Sequence, residues 1–194
     1  MPGNVRPVAD ERDGLMAYLA HERHVVRIAA YGLTDEQAGL TPTAGSLSVG
    51  GLIKHLARVE HSWMDMVERL PPDAGAGADD YAEGFVFGPD DTLEQVLAEY
   101  ARAAERTEKV VGTIDDLAYP VPVPKHVPWF PQDVDAWSVR WVLLHLIHET
   151  ARHAGHADIV RESIDGATAY PLMAAAEGWP ETPWIKPWRP ENLA

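Results

Sequence analysis

Four histidines and one glutamate lie within twelve residues of the segment WVLLHLIHETARHAGHADIVRE: His145, His148, Glu149, His153 and His156. Imidazole nitrogens and carboxylate oxygens are ligands for zinc and its first-row neighbours, so metal binding is the first chemistry to weigh. On an α-helix each residue turns about 100°. His145, Glu149, His153 and His156 then share an arc of about 80°, with His148 roughly 60° away from His145. Leu143, Leu144, Ile147, Ala151 and Ala154 supply apolar packing around this stripe.

Spacing decides which of these side chains can share an ion. Residues four apart sit about 6 Å from one another on one helix face, close enough for both to reach a metal at about 2.0–2.2 Å. Glu149 with His153 meets this condition, and so does His145 with Glu149. His153 with His156 is a third pair, at spacing i, i+3. His145 and His153 are two turns apart, roughly 12 Å, and do not fit one ion. The residues themselves leave these pairs in competition.

Two ligands hold a metal weakly, and a third has to come from another element. In GGLIKHLARVEHSW, His55 stands among Leu52, Leu56 and Val59, near a face that should be buried. A histidine there needs a polar partner, and a metal on the last helix is one such partner. His61, about 240° further round, cannot join it. The plainer reading of the same residues is a Glu149–His153 ion pair beside a hydrogen-bonded core histidine. The spacing of His21, His24, His126 and His148 points to no role.

Stepping outward, the hydrophobic periodicity predicts the elements that must hold these groups. Helix-like spacing of Leu15, Leu19, Val26 and Ala30 predicts a helix from about Asp10 to Tyr31, ended by Gly32. Leu33 to Gly45 reads as a loop containing one capped turn at Thr34-Asp-Glu-Gln37. A second helix, capped by Ser46 or Ser48, carries Leu52, Leu56, Val59, Trp63 and Val67 and stops at Pro71-Pro72. Asp73 to Gly88 is a Gly/Ala/Asp-rich connection, expected to be mobile. Asp90 or Asp91 should cap a third helix with the stripe Leu93, Leu97, Tyr100, Ala104, Val111 and Ile114. Asp115 to Asp135 reads as a long irregular crossover with five prolines, functional or packed down by its own side chains. Ser138 should start the fourth helix, which runs to about Ile164, with Gly166 as its stop. No strand pattern and no internal repeat stands out. The expected fold is all-α: a four-helix bundle over 1–166 with a long crossover between helices 3 and 4. Residues 167–194 should add a short helical turn and a Pro/Trp-rich extension packed on the bundle.

Bulk composition narrows the partners. The 194 residues suit one domain, and 46% are hydrophobic, enough for a sizeable core. A net charge of -14 disfavours nucleic acid and anionic lipid. The chain has no cysteine, which excludes disulfides, thiolate metal sites and a cysteine nucleophile. The N-terminus has no apolar signal core and no apolar run reaches membrane-spanning length, so the expected location is cytoplasmic. Trp63, Trp137 and Trp141 should belong to the core. Trp129, Trp179, Trp184 and Trp188 should cover the bundle end or lid a pocket. The apolar stripes could also support a homodimer.

GGLIKHLARVEHSW, followed much later by WSVRWVLLHLIHETARHAGHADIVRESIDG, resembles the DinB-like superfamily, in particular its DUF664 branch, whose last helix usually reads close to HLIEETARHAGHADIIRE. The likeness covers roughly residues 10 to 170. It implies a four-helix bundle with a divalent metal in its core, held by one His of the second helix and two ligands four apart on the last. In most DinB-like proteins those two are both His. In the mycothiol-dependent maleylpyruvate isomerases the first is Glu. The resemblance therefore implies His55, Glu149 and His153 as the metal ligands. It leaves His145 and His156 as pocket residues and candidate catalytic bases. The usual residue before the glutamate is another Glu, and here it is His148.

Three protein ligands with open positions mark a catalytic metal. The donor set suits zinc first, and also nickel, iron or manganese. By resemblance, the expected activity is S-transfer: the metal activates a low-molecular-weight thiol such as mycothiol toward an electrophile. Maleylpyruvate isomerisation itself is not expected, because the stretch after Ile164 is too short for the isomerases' second domain. A non-catalytic, stress-related metal-binding protein is one alternative. A metal-dependent hydrolase using His156 or His145 as general base is another.

Overall fold

The computed structural model describes residues 3–71, 83–125 and 127–190. The connection expected to be mobile lies largely outside these residues, as does His126. Helix α1 (Glu11–Ala29) starts where the Asp10 carboxylate accepts the Asp13 N–H. A single turn, α2 (Asp35–Ala38), is closed by the expected Thr34/Gln37 capping box. Helix α3 (Val49–Glu68) is capped by Ser48, whose hydroxyl accepts from Gly51 N–H, and ends on Arg69 at φ 57°.

Helix α4 (Leu93–Gly112) begins one residue later than the acidic pair suggests, because Thr92 and Gln95 close a reciprocal capping box. Asp91 is engaged elsewhere: its carboxylate accepts from Lys54 Nζ at 2.6 Å and from Gly88 N–H at 2.8 Å. The helix stops before Ile114, and its buried face is Leu93, Val96, Tyr100, Ala103, Ala104, Thr107, Val110 and Val111. Helix α5 (Val139–Asp165) starts at Ser138 and ends at Gly166, where φ 73° is a conformation open to glycine. A short α6 (Ala169–Ala176) follows.

Side-chain pairs fix the helix directions. Lys54 meets Asp91 and Asp65 meets Arg106, so α3 and α4 run parallel. Glu11 meets Arg140 and Tyr31 O meets Arg161, so α1 and α5 also run parallel. Contacts of His55 with Glu149 and of Trp63 with His145 make α3 and α5 antiparallel. The four long helices form an all-α bundle with two large core clusters. One gathers Val26, Ile53, Leu56, Tyr100, Ala154 and Val160. The other gathers Leu19, Trp63, Met64, Val111, Leu143 and Leu146. On α5 the two clusters change over between Ile147 and Ala154, around Glu149, while on α3 His55 stands among residues of the first, Ile53, Leu56 and Ala57.

The connection between α4 and α5 leaves and re-enters the bundle at one end. It carries a two-stranded antiparallel ribbon, β1 (Pro120–Pro122) with β2 (Ala136–Ser138), which the sequence pattern does not show. Three-residue strands are too short for a period-2 signal, and PVP lacks two of its N–H donors. Trp137 and Phe130 of this segment pack on Trp63, at ring-centroid distances of 5.3 and 6.2 Å. Trp141 lies 38% exposed at the edge of that cluster.

Past α6, Trp188 N–H donates to Pro171 O at 2.8 Å, and its ring lies 4.9 Å from the Arg161 guanidinium. A Cβ on Gly32 would stand 2.7 Å from that ring, so the tail needs a glycine beneath it. Trp179 and Trp188 cover Ile28, Leu172 and Met173 at the bundle end. Trp129 and Trp184 are exposed. Among the described residues no helix is long and apolar enough to cross a membrane.

Candidate metal centre

Helix α5 presents Glu149 and His153 one turn apart, and α3 delivers His55 to them from across the bundle. His55 and His153 are buried and Glu149 is largely buried. His55 Nε2 lies 3.4 Å from Glu149 Oε1, and His153 Nε2 lies 3.2 Å from the same oxygen. One ligand atom from each residue falls within 4.8 Å of the other two. These separations are long for hydrogen bonds to a carboxylate, which run nearer 2.7–2.9 Å. They match the edge of a tetrahedron built on bonds of about 2.1 Å, roughly 3.4 Å.

The electrostatics suit the same role. Burial pushes the His55 imidazole below its ordinary pKa, against the pull of Glu149, so the ring is neutral at neutral pH. Contacts with His153 and then His55 hold the Glu149 carboxyl well below the usual carboxylate range. A neutral nitrogen and a carboxylate are the protonation states a metal requires. Two imidazoles and one carboxylate fit a divalent ion such as zinc and leave room for a further ligand. The group could hold a metal ion.

The model of one protein family, Mycothiol-S-transferase, matches residues 14–166. The chain belongs to this family. A comparison with curated proteins gives no match. Among solved structures, a conserved protein from Enterococcus faecalis is similar at a TM-score of 0.64. The two are 14% identical over 82% of this chain and all of that one, so the likeness speaks for the fold alone. All three residues implied as ligands by the resemblance to DinB-like proteins lie inside the span matched to the mycothiol S-transferase family.

Within this bundle the remaining histidines part company. His156 Nδ1 stands 3.3 Å from His153 Nδ1, on the ring nitrogen that does not face Glu149. If His153 Nε2 offers its lone pair, Nδ1–H donates to His156, and that contact sets the tautomer. His145 lies one turn before Glu149 on α5. Its ring stacks on Trp141 at 5.1 Å and meets Trp63 at 4.8 Å. Burial lowers its pKa too, leaving a neutral ring. His24 and His61 pair with Glu177 and Glu99 near the surface. His148 is exposed, and His21 Nδ1 is buried with no hydrogen-bond partner among the described residues.

One neighbour escaped the sequence reading. The Phe85 ring stacks on His55 at 3.7 Å with an interplanar angle of 17°, and lies 5.6 Å from the His153 ring. Its signal was present two residues after the helix cap. A Cβ at Gly51 would sit 2.0 Å from Phe85 O, and one at Gly50 would sit 2.3 Å from the Phe87 ring. Two glycines in the first turn of a helix are costly unless another chain segment lies against them.

Proposed function

We propose that the protein is a metal-dependent S-transferase acting on a low-molecular-weight thiol such as mycothiol, with His55, Glu149 and His153 as the ligands of the metal. The observation that carries this is the convergence of three donors, from two helices, at the spacing of a metal's coordination shell. Membership of the mycothiol S-transferase family supports the thiol as substrate. Zinc fits the donor set best, with nickel, iron and manganese as the other divalent ions it suits. A bound divalent ion supplies Lewis acidity, which lowers the pKa of a coordinated thiol into the neutral range.

The chain's own residues do the rest. His55 and His153 would offer imidazole nitrogens to the ion and Glu149 one negative charge, leaving a divalent ion with net positive charge to favour a thiolate. His156 holds the His153 tautomer. Thiol activation releases a proton, and His145, neutral and one turn from Glu149, is the proposed acceptor. The sulfur then forms a bond to the electrophile, and the leaving group departs with the electron pair of the broken bond. The apolar rings of Trp63 and Trp141 beside His145 suit an electrophile with a hydrophobic face.

Metal analysis of the purified protein and of His55→Ala and Glu149→Ala tests the ligand set. The expected result is one divalent ion per chain, lost in both variants; full retention in both overturns the assignment. Incubation with a mycothiol-type thiol and a panel of electrophiles, with and without chelator, tests the reaction. Thiol consumption that stops with chelator is the expected result. Ester or amide cleavage without thiol would mark a hydrolase instead. A stoichiometric metal with no turnover would mark a non-catalytic metal protein.

A further inference from the structure

The strap formed by residues 83–88 has no place in the ligand set, yet it is fastened at several points beside it. Lys54 Nζ donates to Val86 O at 3.2 Å and pairs with Asp91 at 2.6 Å. Phe87 lies over Gly50, and the Phe85 carbonyl lies over Gly51. The Phe85 ring packs against the small cluster of Ala29, Leu52 and Ala157, contributed by α1, α3 and α5. These fixings leave it parallel to the His55 ring and 5.6 Å from His153, the two imidazoles that flank Glu149 Oε1.

We propose that Phe85, seated by the Gly50–Gly51 saddle, is a positioning residue of the metal centre: it locks the His55 ring and walls one side of the ligand triangle against water. The proposal rests on the reading of His55, Glu149 and His153 as ligands. A histidine on a helix has two rotatable side-chain bonds, and the second is broad and soft. A flat ring stacked at 3.7 Å removes that freedom without using either nitrogen. It also keeps solvent from one flank of the site, which slows the arrival of competing ligands and strengthens the ligand–metal attraction. The saddle explains why α3 tolerates two adjacent glycines in its first turn.

The test uses the full chain loaded with zinc, and separately with cobalt(II), whose visible bands are strong in four-coordinate sites and weak when water adds. Release of zinc to a competing chelator is timed for the wild type, Phe85→Leu and Gly51→Ala. Phe85→Leu retains apolar bulk but has no flat face, and Gly51→Ala displaces the strap from the other side. Release should speed up about tenfold or more in both, with weakened cobalt bands and unchanged helical content. Wild-type release rates and cobalt spectra in both folded variants would overturn the proposal. A wild-type chain that takes up no stoichiometric metal would overturn the ligand reading and this proposal together. That outcome is read before any variant is made, so the two failures are distinguishable.

Discussion

Two of the polar clusters buried in this bundle are built in opposite ways. In the first, Arg23 Nε and Nη2 donate to the two oxygens of Glu60 at 2.8 and 2.7 Å, and the Thr107 hydroxyl donates to Glu60 at 2.9 Å. All three side chains are essentially inaccessible. In the second, two imidazoles approach a single Glu149 oxygen at 3.2 and 3.4 Å. The first cluster is saturated: strong, short, charge-assisted bonds complete a knot between α1, α3 and α4. The second is preorganised but slack, with donors held apart at distances that suit an ion better than a proton. A buried knot contributes to one fold, whereas a slack cluster keeps its bonding capacity for a ligand.

A third carboxylate sharpens the contrast. Asp158 lies on α5, one turn beyond Ala154, and burial together with the like charge of Glu162 raises its pKa to about 6. Three carboxylates in one bundle thus face an arginine, a pair of imidazoles and another acid.

Breaking the saturated knot should cost the most. Arg23→Ala leaves the Glu60 charge buried without its cation and should destabilise the protein by about 3–5 kcal/mol. That corresponds to a fall in Tm of about 10 °C or more for a chain of this size, and thermal or urea unfolding reads it. A loss below about 1 kcal/mol would mean that the knot is not closed as described.

The next effect in size belongs to Asp158. Its folded-state pKa lies above the ordinary 3.8, so the folded protein holds more protons between pH 3.8 and 6. Its contribution is therefore fully present below about pH 4 and is lost as pH rises through about 6. Asp158→Asn should stabilise the protein at pH 8 by about 1–2 kcal/mol after discounting for partial exposure, and by nearly nothing at pH 4. Unfolding curves at the two pH values check this, and a gain confined to pH 4 would contradict it.

The smallest effect on the fold should come from the candidate site itself. Glu149→Ala in metal-free protein removes two long contacts to imidazoles rather than the partner of a permanent cation, so the expected change is about 1 kcal/mol. The same variant should erase the stabilisation that metal confers on the wild type, seen as a Tm that no longer rises on adding zinc. If Glu149→Ala unfolds the apo-protein as severely as Arg23→Ala does, the two clusters are of one kind and the contrast fails.

How much of this was legible in the residues depends on how local each feature is. The starts of α1, α3 and α5 and the stop at Gly166 follow from a cap residue and the turn beside it, within about four residues, and they fell where the sequence placed them. The start of α4 moved from the acidic pair to Thr92. There, the choice between Asp91 and Thr92 depended on Lys54, 37 residues away, claiming the Asp91 carboxylate. The ribbon of β1 and β2 was invisible because it exists through pairing across the loop rather than through any pattern within three residues. Phe85 left only an indirect trace, the paired glycines Gly50 and Gly51 of α3, because nothing in its own short stretch says which helix it meets.

That Glu149 can share an ion with His153 was determined by the sequence alone, because four residues on a helix is a fixed distance and a fixed face. The same spacing left His145 and His156 as rivals; the resemblance to DinB-like proteins favoured His55, Glu149 and His153, and the fold brings those three within reach of one another. The turn of α5 against α3 brings His55 to the Glu149 oxygen that His153 already faces. It leaves His145 among tryptophans and His156 behind the His153 ring. Local geometry is written in residue order. Which rival meets a partner 94 residues away is set by how two helices pack, and packing is a property of the whole bundle.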